Sequence, residues 1–255
     1  MSRPENEMPF LEHLEELRWR LLWSVLALVA GVFIAFVLLV KLDVIGLLQG
    51  PIRPYLHGRK LVYTHPGDTF SIVLNASIAL GVVFSLPVII WQAWSFLAPA
   101  LYQHEKRIVV PVFVGAIGLF MAGAAMSYFY ALPLSLSFLL DFQAESLEPM
   151  ITAGEYFSFA ISMTLAFGAA FELPIVILAL AALGVVTPQF LGKYRRHALV
   201  GCVVAGAVLT PGDVVYASAV MAVPLYGLYE VSIWLSWFVV RGRARRQAMA
   251  QDAAA

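Results

Sequence analysis

Cysteine, charge and the motifs of soluble enzymes are all scarce in this chain of 255 residues. Its single cysteine, Cys202, has no partner for an internal disulfide and excludes a cysteine-based metal cluster. The sequence has no GxxxxGKS/T phosphate loop, no HExxH, no GxSxG and no CxxC, and its five histidines are scattered. We therefore expect a protein that is not an enzyme and holds neither a metal nor a cofactor.

Charge is low and balanced, whereas apolar residues dominate. Charged residues make up 13% of the chain, the formal net charge is zero and the pI is about 7.0, so no overall field favours nucleic acid as a partner. Hydrophobic residues make up 61% and the mean hydropathy is +0.84, more apolar surface than a soluble domain of this length could bury. The composition predicts an all-α polytopic membrane protein surrounded by lipid.

Apolar runs predict six membrane-spanning helices, because about 20 helical residues cross a hydrocarbon core of about 30 Å. The fifth run has only 12 residues, so its helix must borrow flanking residues or lie where the bilayer is thinned. A cytoplasmic amphipathic segment, residues 1–20, would precede the six-helix transmembrane domain, residues 21–240, and a basic tail, residues 241–255, is predicted to be disordered. The predicted spans are residues 21–40, 69–104, 108–140, 156–183, 198–209 and 214–240.

The basic residues predict the orientation of these spans. Of the 16 lysines and arginines, 12 lie in the two termini and in the loops after the second and fourth spans. Cytoplasmic loops of membrane proteins are enriched in such residues, so both termini are predicted to be cytoplasmic.

Carboxylates also occur on that predicted cytoplasmic side, at Glu15, Glu16 and Glu105. Glu15 and Glu16 lie in an amphipathic segment, and one interpretation is a solvated helix face on which they pair with Arg18 or Arg20. The alternative is a cradle for guanidinium groups, formed by a carboxylate from this segment and a carboxylate from the loop after the second span.

A second group of acids lies in the apolar runs. Glu172 and Glu230 fall within the fourth and sixth predicted spans, and Asp213 lies at the outer turn before the sixth. Acids in a membrane are costly and normally face a bundle interior, a cavity or a partner. Glu172 could be a protonated carboxyl bonded to a nearby Ser or Thr, or a docking point for a polar residue of another subunit.

Two further functions stay open at this point. Glu172 and Glu230 could carry protons in a proton-coupled small-solute transporter, although such proteins often show inverted repeats. The internal sequence similarity in this chain, called the echo below, is parallel. It equates residues 70–90 with residues 157–177 at an offset of 87 residues. Duplication is one explanation, and convergent packing of proline-kinked helices with small residues is the favoured alternative. A purely structural scaffold would not require the cytoplasmic acids.

Three segments resemble the TatC family, the receptor subunits of the twin-arginine protein translocase. They are His13-Leu-Glu-Glu-Leu-Arg-Trp-Arg20, the stretch Trp91–Arg107 at the end of the second span, and Phe167-Gly-Ala-Ala-Phe-Glu-Leu-Pro174. The resemblance implies a concave cup of six helices in the bacterial cytoplasmic (inner) membrane, with both termini cytoplasmic. It also implies export driven by the proton motive force. The implied partners are twin-arginine signal peptides of folded precursors, TatA and TatB subunits, and further copies within a receptor complex.

The resemblance also implies roles for single residues. Glu16 and Glu105 would contact the two arginines, with Glu15 beside them, while Arg18 and Phe96 would shape that site. Glu172 would be the buried acid of the cup. The remaining implied positions are structural ones on the outer side, Pro51 and Asp213.

Overall fold

The computed structural model describes residues 10–42, 44–56, 58–97, 109–141, 150–209 and 216–252. Within these ranges the chain is helical without a β-strand, and Val62 and Thr152 form an isolated parallel bridge. The all-helical class predicted from the sequence is thus confirmed for the described residues. The elements are α1 (Phe10–Lys41), α2 (Val44–Leu48), a 3-10 helix (Gly50–Leu56), α3 (Asp68–Leu97), α4 (Val109–Met126), a π-helical turn (Ser127–Ala131), α5 (Leu132–Asp141), α6 (Ala153–Phe171), α7 (Leu173–Ala182), α8 (Pro188–Lys193), α9 (Arg195–Leu209) and α10 (Tyr216–Asp252).

Four helical segments of the described chain are long and apolar enough to cross a membrane. Only 17 to 33% of the residues in their most apolar windows are buried within the protein. Phe33 on α1, for example, is 69% exposed. Apolar surface of this extent is suited to contact with lipid. The segments are Leu14–Lys41, Asp68–Phe96, Val112–Leu140 and Ala153–Ala182, and they correspond to the first four predicted spans.

The last two helices differ from the prediction at their ends. α9 begins at Arg195, three residues before the predicted start, and its 15 residues measure about 22 Å. α10 continues to Asp252, where the sequence predicts disorder after Val240. Its final residues are mostly Ala, Arg, Gln and Met, which favour helix. The Arg241 guanidinium lies 4.2 Å from the ring centroid of Trp237 one turn earlier.

Glycines allow neighbouring helices to approach closely. A β-carbon on Gly123 of α4 would lie 2.6 Å from the Phe167 carbonyl oxygen of α6. A β-carbon on Gly168 would in turn lie 2.7 Å from Cζ of Phe120. Phe167 itself is fully buried at the centre of the main apolar core. Small residues at helix crossings provide close van der Waals contact, which membrane helices need because lipid supplies little hydrophobic driving force between them.

Prolines explain both interruptions of the long helices. The π-helical turn ends two residues before Pro133, which has no N–H to donate to the carbonyl of residue 129. In the same way α6 ends at Phe171 and α7 begins at Leu173, with Pro174 in the first turn of α7. Glu172 is the residue between these two helices.

Two tyrosines fasten the segment between α1 and α3. The hydroxyls of Tyr128 and Tyr156 donate hydrogen bonds of 2.6 Å to the carbonyl oxygens of Leu47 and Leu48. These carbonyls end α2, where four carbonyl groups have no partner within a helix. Pro51 follows in the 3-10 helix and is buried. A compact cap therefore closes one end of the helix bundle.

Candidate functional site

The register of α1 and α3 brings the first group of predicted site residues together. The two helices are antiparallel: Gly31 packs against Gly81, and eleven residues away in opposite directions Arg20 contacts Gln92. Four more residues along each helix lead to Glu16 and Phe96. Glu16 and Phe96 therefore lie at the same level, at the end of the pair opposite to the cap.

A guanidinium already contacts the Glu16 carboxylate. Nε of Arg20 donates a 2.9 Å hydrogen bond to Oε1 of Glu16, and Nη2 of Arg20 donates a second bond to the same oxygen. Both side chains are partly buried, with 24% of Arg20 and 21% of Glu16 exposed. Nη1 of Arg20 lies 3.4 Å from Oε1 of Gln92 on α3. The first interpretation of the cytoplasmic acids, an ion pair within the helix, therefore holds for Glu16 and Arg20.

The other predicted residues at this end are placed differently. Glu15 and Arg18 are exposed on α1, and Phe96 is partly buried in the last turn of α3. Glu105 lies outside the described residues, nine positions beyond Phe96 along the chain. The second carboxylate of the predicted cradle is thus close in sequence to this end of α3.

Gln92 is the residue of this group that sequence reasoning missed. A glutamine in an apolar run carries no charge signal, and its relation to Arg20 depends on the register of two helices. The signal available in the sequence was its position one helical turn before Phe96, on the same face of α3.

Glu172 lies at the break between α6 and α7. Its backbone carbonyl accepts bonds of 3.0 and 3.1 Å from the amides of Ile175 and Val176, so the main chain is well satisfied there. The side-chain oxygen Oε1 is buried and accepts no hydrogen bond from any residue in the described part of the chain. No Ser or Thr among those residues supplies the bond suggested as one alternative.

Glu230 is held at both carboxylate oxygens. Nη2 of Arg195 donates a 2.9 Å bond to Oε2, and the Tyr226 hydroxyl donates a 2.9 Å bond to Oε1. The Arg195 side chain is 49% exposed and that of Glu230 is 28% exposed. Arg195 is the first residue of α9, so Glu230 lies level with the start of that helix. A carboxylate held by an arginine is poorly suited to carrying protons, which disfavours the transporter interpretation.

The outer structural positions are only partly described. Pro51 is buried in the cap, next to Ile52, which is fully buried. Asp213 lies outside the described residues. No group of three His, Cys, Asp or Glu side chains capable of holding a metal ion occurs among the residues that the structure describes.

Comparison with known proteins decides the family. The profile of the family described as "Sec-independent protein translocase protein (TatC)" matches residues 12–224. The chain belongs to the TatC family. A TatC protein of Aquifex aeolicus (strain VF5) is 40% identical over 242 residues, covering 94% of this chain and 99% of that protein. The TatC of Escherichia coli (strain K12) is 36% identical over 245 residues, covering 95% and 94%.

Solved structures agree with the sequence comparison. A crystal structure of the twin-arginine translocase receptor TatC superposes with a TM-score of 0.77 at 39% identity, covering 89% of this chain and 99% of that one. A second TatC structure, in the detergent DDM, gives a TM-score of 0.76 at 41% identity. The resemblance stated from three sequence segments is confirmed. This TatC protein is the non-enzymatic receptor subunit of a protein translocase in a membrane.

Proposed function

We propose that this TatC protein binds the paired arginines of twin-arginine signal peptides at the end of α1 and α3, where Glu16 and Phe96 lie. The observation that supports this most directly is the contact between Arg20 and Glu16. A partly buried carboxylate that accepts two N–H bonds from one guanidinium has surroundings that accommodate a guanidinium. Glu105 supplies the second carboxylate, while Glu15 and Arg18 form the exposed rim.

We further propose a cup of six spans in the bacterial inner membrane with both termini cytoplasmic. Four membrane-capable segments, the short helix α9 and the long helix α10 supply six helices for this arrangement. The basic residues of the termini and of two loops favour the orientation. TatA and TatB subunits and further TatC copies assemble with it, and the proton motive force drives export of the folded precursor.

The recognition proposal is tested by binding measurements. Signal peptides with an arginine pair or a lysine pair are titrated against wild type, Glu16→Gln and Glu105→Gln at two salt concentrations. Each substitution should cost about 1.5 to 3 kcal/mol of binding to the arginine peptide, before solvent screening reduces it, because a hydrogen bond to a charged group is lost. Lysine peptides should bind more weakly to wild type, since an ammonium lacks the planar fork of a guanidinium.

Glu155→Gln is the matched control. Glu155 is exposed at the start of α6, close to the Val62–Thr152 bridge and therefore at the capped end. Its substitution should leave both peptides unaffected. Unchanged arginine preference in both Glu16→Gln and Glu105→Gln would overturn the carboxylate cradle, as would losses that disappear in modest salt, which is the behaviour of solvated surface charges.

A further inference from the structure

The arrangement around Glu16 contains an arginine that belongs to the protein itself. A carboxylate oxygen has two lone pairs, and both lone pairs of Oε1 are directed to N–H groups of Arg20. A guanidinium fork needs both oxygens of a carboxylate for its two parallel bonds. A signal-peptide arginine cannot form that fork with Glu16 while Arg20 keeps Oε1.

We propose that Arg20 is an internal competitor for the arginine site, and that it must leave Glu16 when the signal peptide binds. This inference rests on the proposed function, since it concerns the same carboxylate. Arg20 lies four residues after Glu16 in a continuous helix, which keeps its guanidinium within reach of the carboxylate that it contacts in this structure. The empty site is therefore closed by a group of the same chemistry as its ligand.

Gln92 provides a second hydrogen-bond acceptor for the displaced Arg20. Its Oε1 is 3.4 Å from Nη1 of Arg20, longer than an ordinary hydrogen bond but close enough to shorten after a small movement of the side chain. Gln92 lies on α3 at the level of Arg20, one turn before Phe96, and so one turn away from the level of Glu16. Arg20 therefore moves between two acceptors, the Glu16 carboxylate in the empty receptor and the Gln92 amide in the occupied one.

This exchange makes Arg20 a specificity-determining residue. An incoming arginine replaces the two bonds that Arg20 gives up, because it has the same planar fork. An incoming lysine offers an ammonium, a point charge that does not reproduce the fork. The competition consequently penalises a lysine pair more than an arginine pair, beyond the direct preference of the carboxylates.

Arg20→Lys tests the exchange while keeping the positive charge. The full-length protein in detergent is titrated with arginine-pair and lysine-pair signal peptides. We expect the arginine peptide to bind about two- to ten-fold more tightly, the equivalent of one hydrogen bond no longer broken. The lysine peptide should gain more, so that the preference for arginine becomes smaller. Arg196→Lys is the matched control, because Arg196 lies on α9 and its side chain is exposed.

Gln92→Leu tests the second acceptor independently. It should weaken binding of the arginine peptide in the wild-type background, because the displaced Arg20 loses its acceptor. It should have little effect in the Arg20→Lys background, because a lysine has no Nη1 group to donate to the Gln92 amide. A mere packing role for Gln92 would give the same loss in both backgrounds. Each variant is shown to be folded when its size-exclusion elution volume and its tryptophan fluorescence spectrum equal those of wild type.

The outcomes separate this inference from the proposed function. Suppose that wild type prefers the arginine peptide over the lysine peptide. If Arg20→Lys then binds the arginine peptide more weakly than wild type, or prefers arginine to the same degree, the competitor role alone is overturned. Equal binding of both peptides by wild type overturns the recognition proposal, and the competitor role with it.

Discussion

Gly31 of α1 and Gly81 of α3 meet backbone to backbone. A β-carbon on Gly31 would lie 2.7 Å from the Gly81 carbonyl oxygen, and one on Gly81 would lie 2.7 Å from Cα of Val32. Real β-carbons do not approach other atoms so closely, so the two backbones touch at these glycines, and the Val32 side chain of α1 also packs against Gly81. This contact sets the register that brings Arg20 to Gln92 and places Glu16 level with Phe96.

Alanine at Gly81 should therefore separate the two helices. We expect Gly81→Ala to lower the free energy of unfolding by about 1 to 3 kcal/mol, the usual cost of overpacking, as measured by thermal unfolding in detergent. Gly118→Ala on α4 is the matched control, because a β-carbon there has no neighbour within 4 Å. Its stability should be unchanged or higher, as alanine favours helix over glycine. Equal stability of the two variants would show that α1 and α3 need no close contact.

The helices themselves were largely predictable from the sequence, whereas the contacts between them were not. Uncharged runs located the four membrane-capable segments of the described chain, and α9 begins three residues before the apolar run that predicted it. α1 begins at Phe10, before the apolar run, because the charged residues that precede this run also favour helix. A run without charged residues indicates a membrane span, but it carries no information on which residue of one helix faces which residue of another.

The site shows the same division. Glu16, Phe96 and Glu172 were predicted from motifs, but the partners Gln92 and Arg195 were not. Arg195 and Glu230 are 35 residues apart and meet only because α9 and α10 pair side by side. The parallel echo in the sequence has a packing explanation, since both of its glycines, Gly81 and Gly168, lie at close helix contacts.

The six-span orientation predicts where fused reporters work. A reporter that is active only outside the cytoplasm should be active when fused at Gly58 or Glu148 and inactive at Gly192 or Ala255, because basic loops stay on the cytoplasmic side. Alkaline phosphatase activity in cells, normalised to the amount of fusion protein, measures this. A fluorescent protein that folds only in the cytoplasm serves as the reciprocal control at the same positions. Phosphatase activity at Gly192 would contradict the six-span arrangement.

The ion pair between Arg195 and Glu230 should contribute little to stability. Both side chains are partly exposed, and such pairs are worth about 0.2 to 1 kcal/mol. Arg195→Gln and Glu230→Gln should each lower the free energy of unfolding by no more than about this amount, and the double variant should lose less than the sum of the two. Thermal unfolding of the four proteins completes the cycle. A strict sum would show that the contact contributes no coupling.

The Glu230→Gln variant also tests whether Glu230 carries protons. If Glu230 carried the protons that drive transport, Glu230→Gln would abolish export coupled to the proton motive force while leaving the protein folded. We expect export of a twin-arginine precursor to persist in membrane vesicles, because the carboxylate is engaged by Arg195 and Tyr226. Complete loss of export with normal signal-peptide binding would restore a proton-carrying role.

Glu172 should matter to a partner more than to the fold. Its main chain is satisfied at the α6–α7 break, but its buried Oε1 has no hydrogen-bond partner among the described residues. Removing an acceptor that no donor engages is expected to be nearly neutral or stabilising. Glu172→Leu should therefore unfold at the same temperature as wild type or higher, whereas its crosslinking to TatA or TatB should decrease. Glu172→Gln should keep most of that crosslinking, because the amide oxygen still accepts a hydrogen bond.

Glu155→Leu controls for the general effect of replacing a glutamate by leucine, since Glu155 is exposed at the far end of α6. Its crosslinking at the α6–α7 break should equal that of wild type. Equal crosslinking in Glu172→Leu and Glu172→Gln would show that no partner uses the carboxyl. Loss of folding in Glu172→Leu would show instead that the acid has a structural role within the chain. Decreased crosslinking in a folded Glu172→Leu protein is the combination that requires a polar group of another subunit at this break, because an alkyl side chain removes the hydrogen bond without disturbing the chain around it.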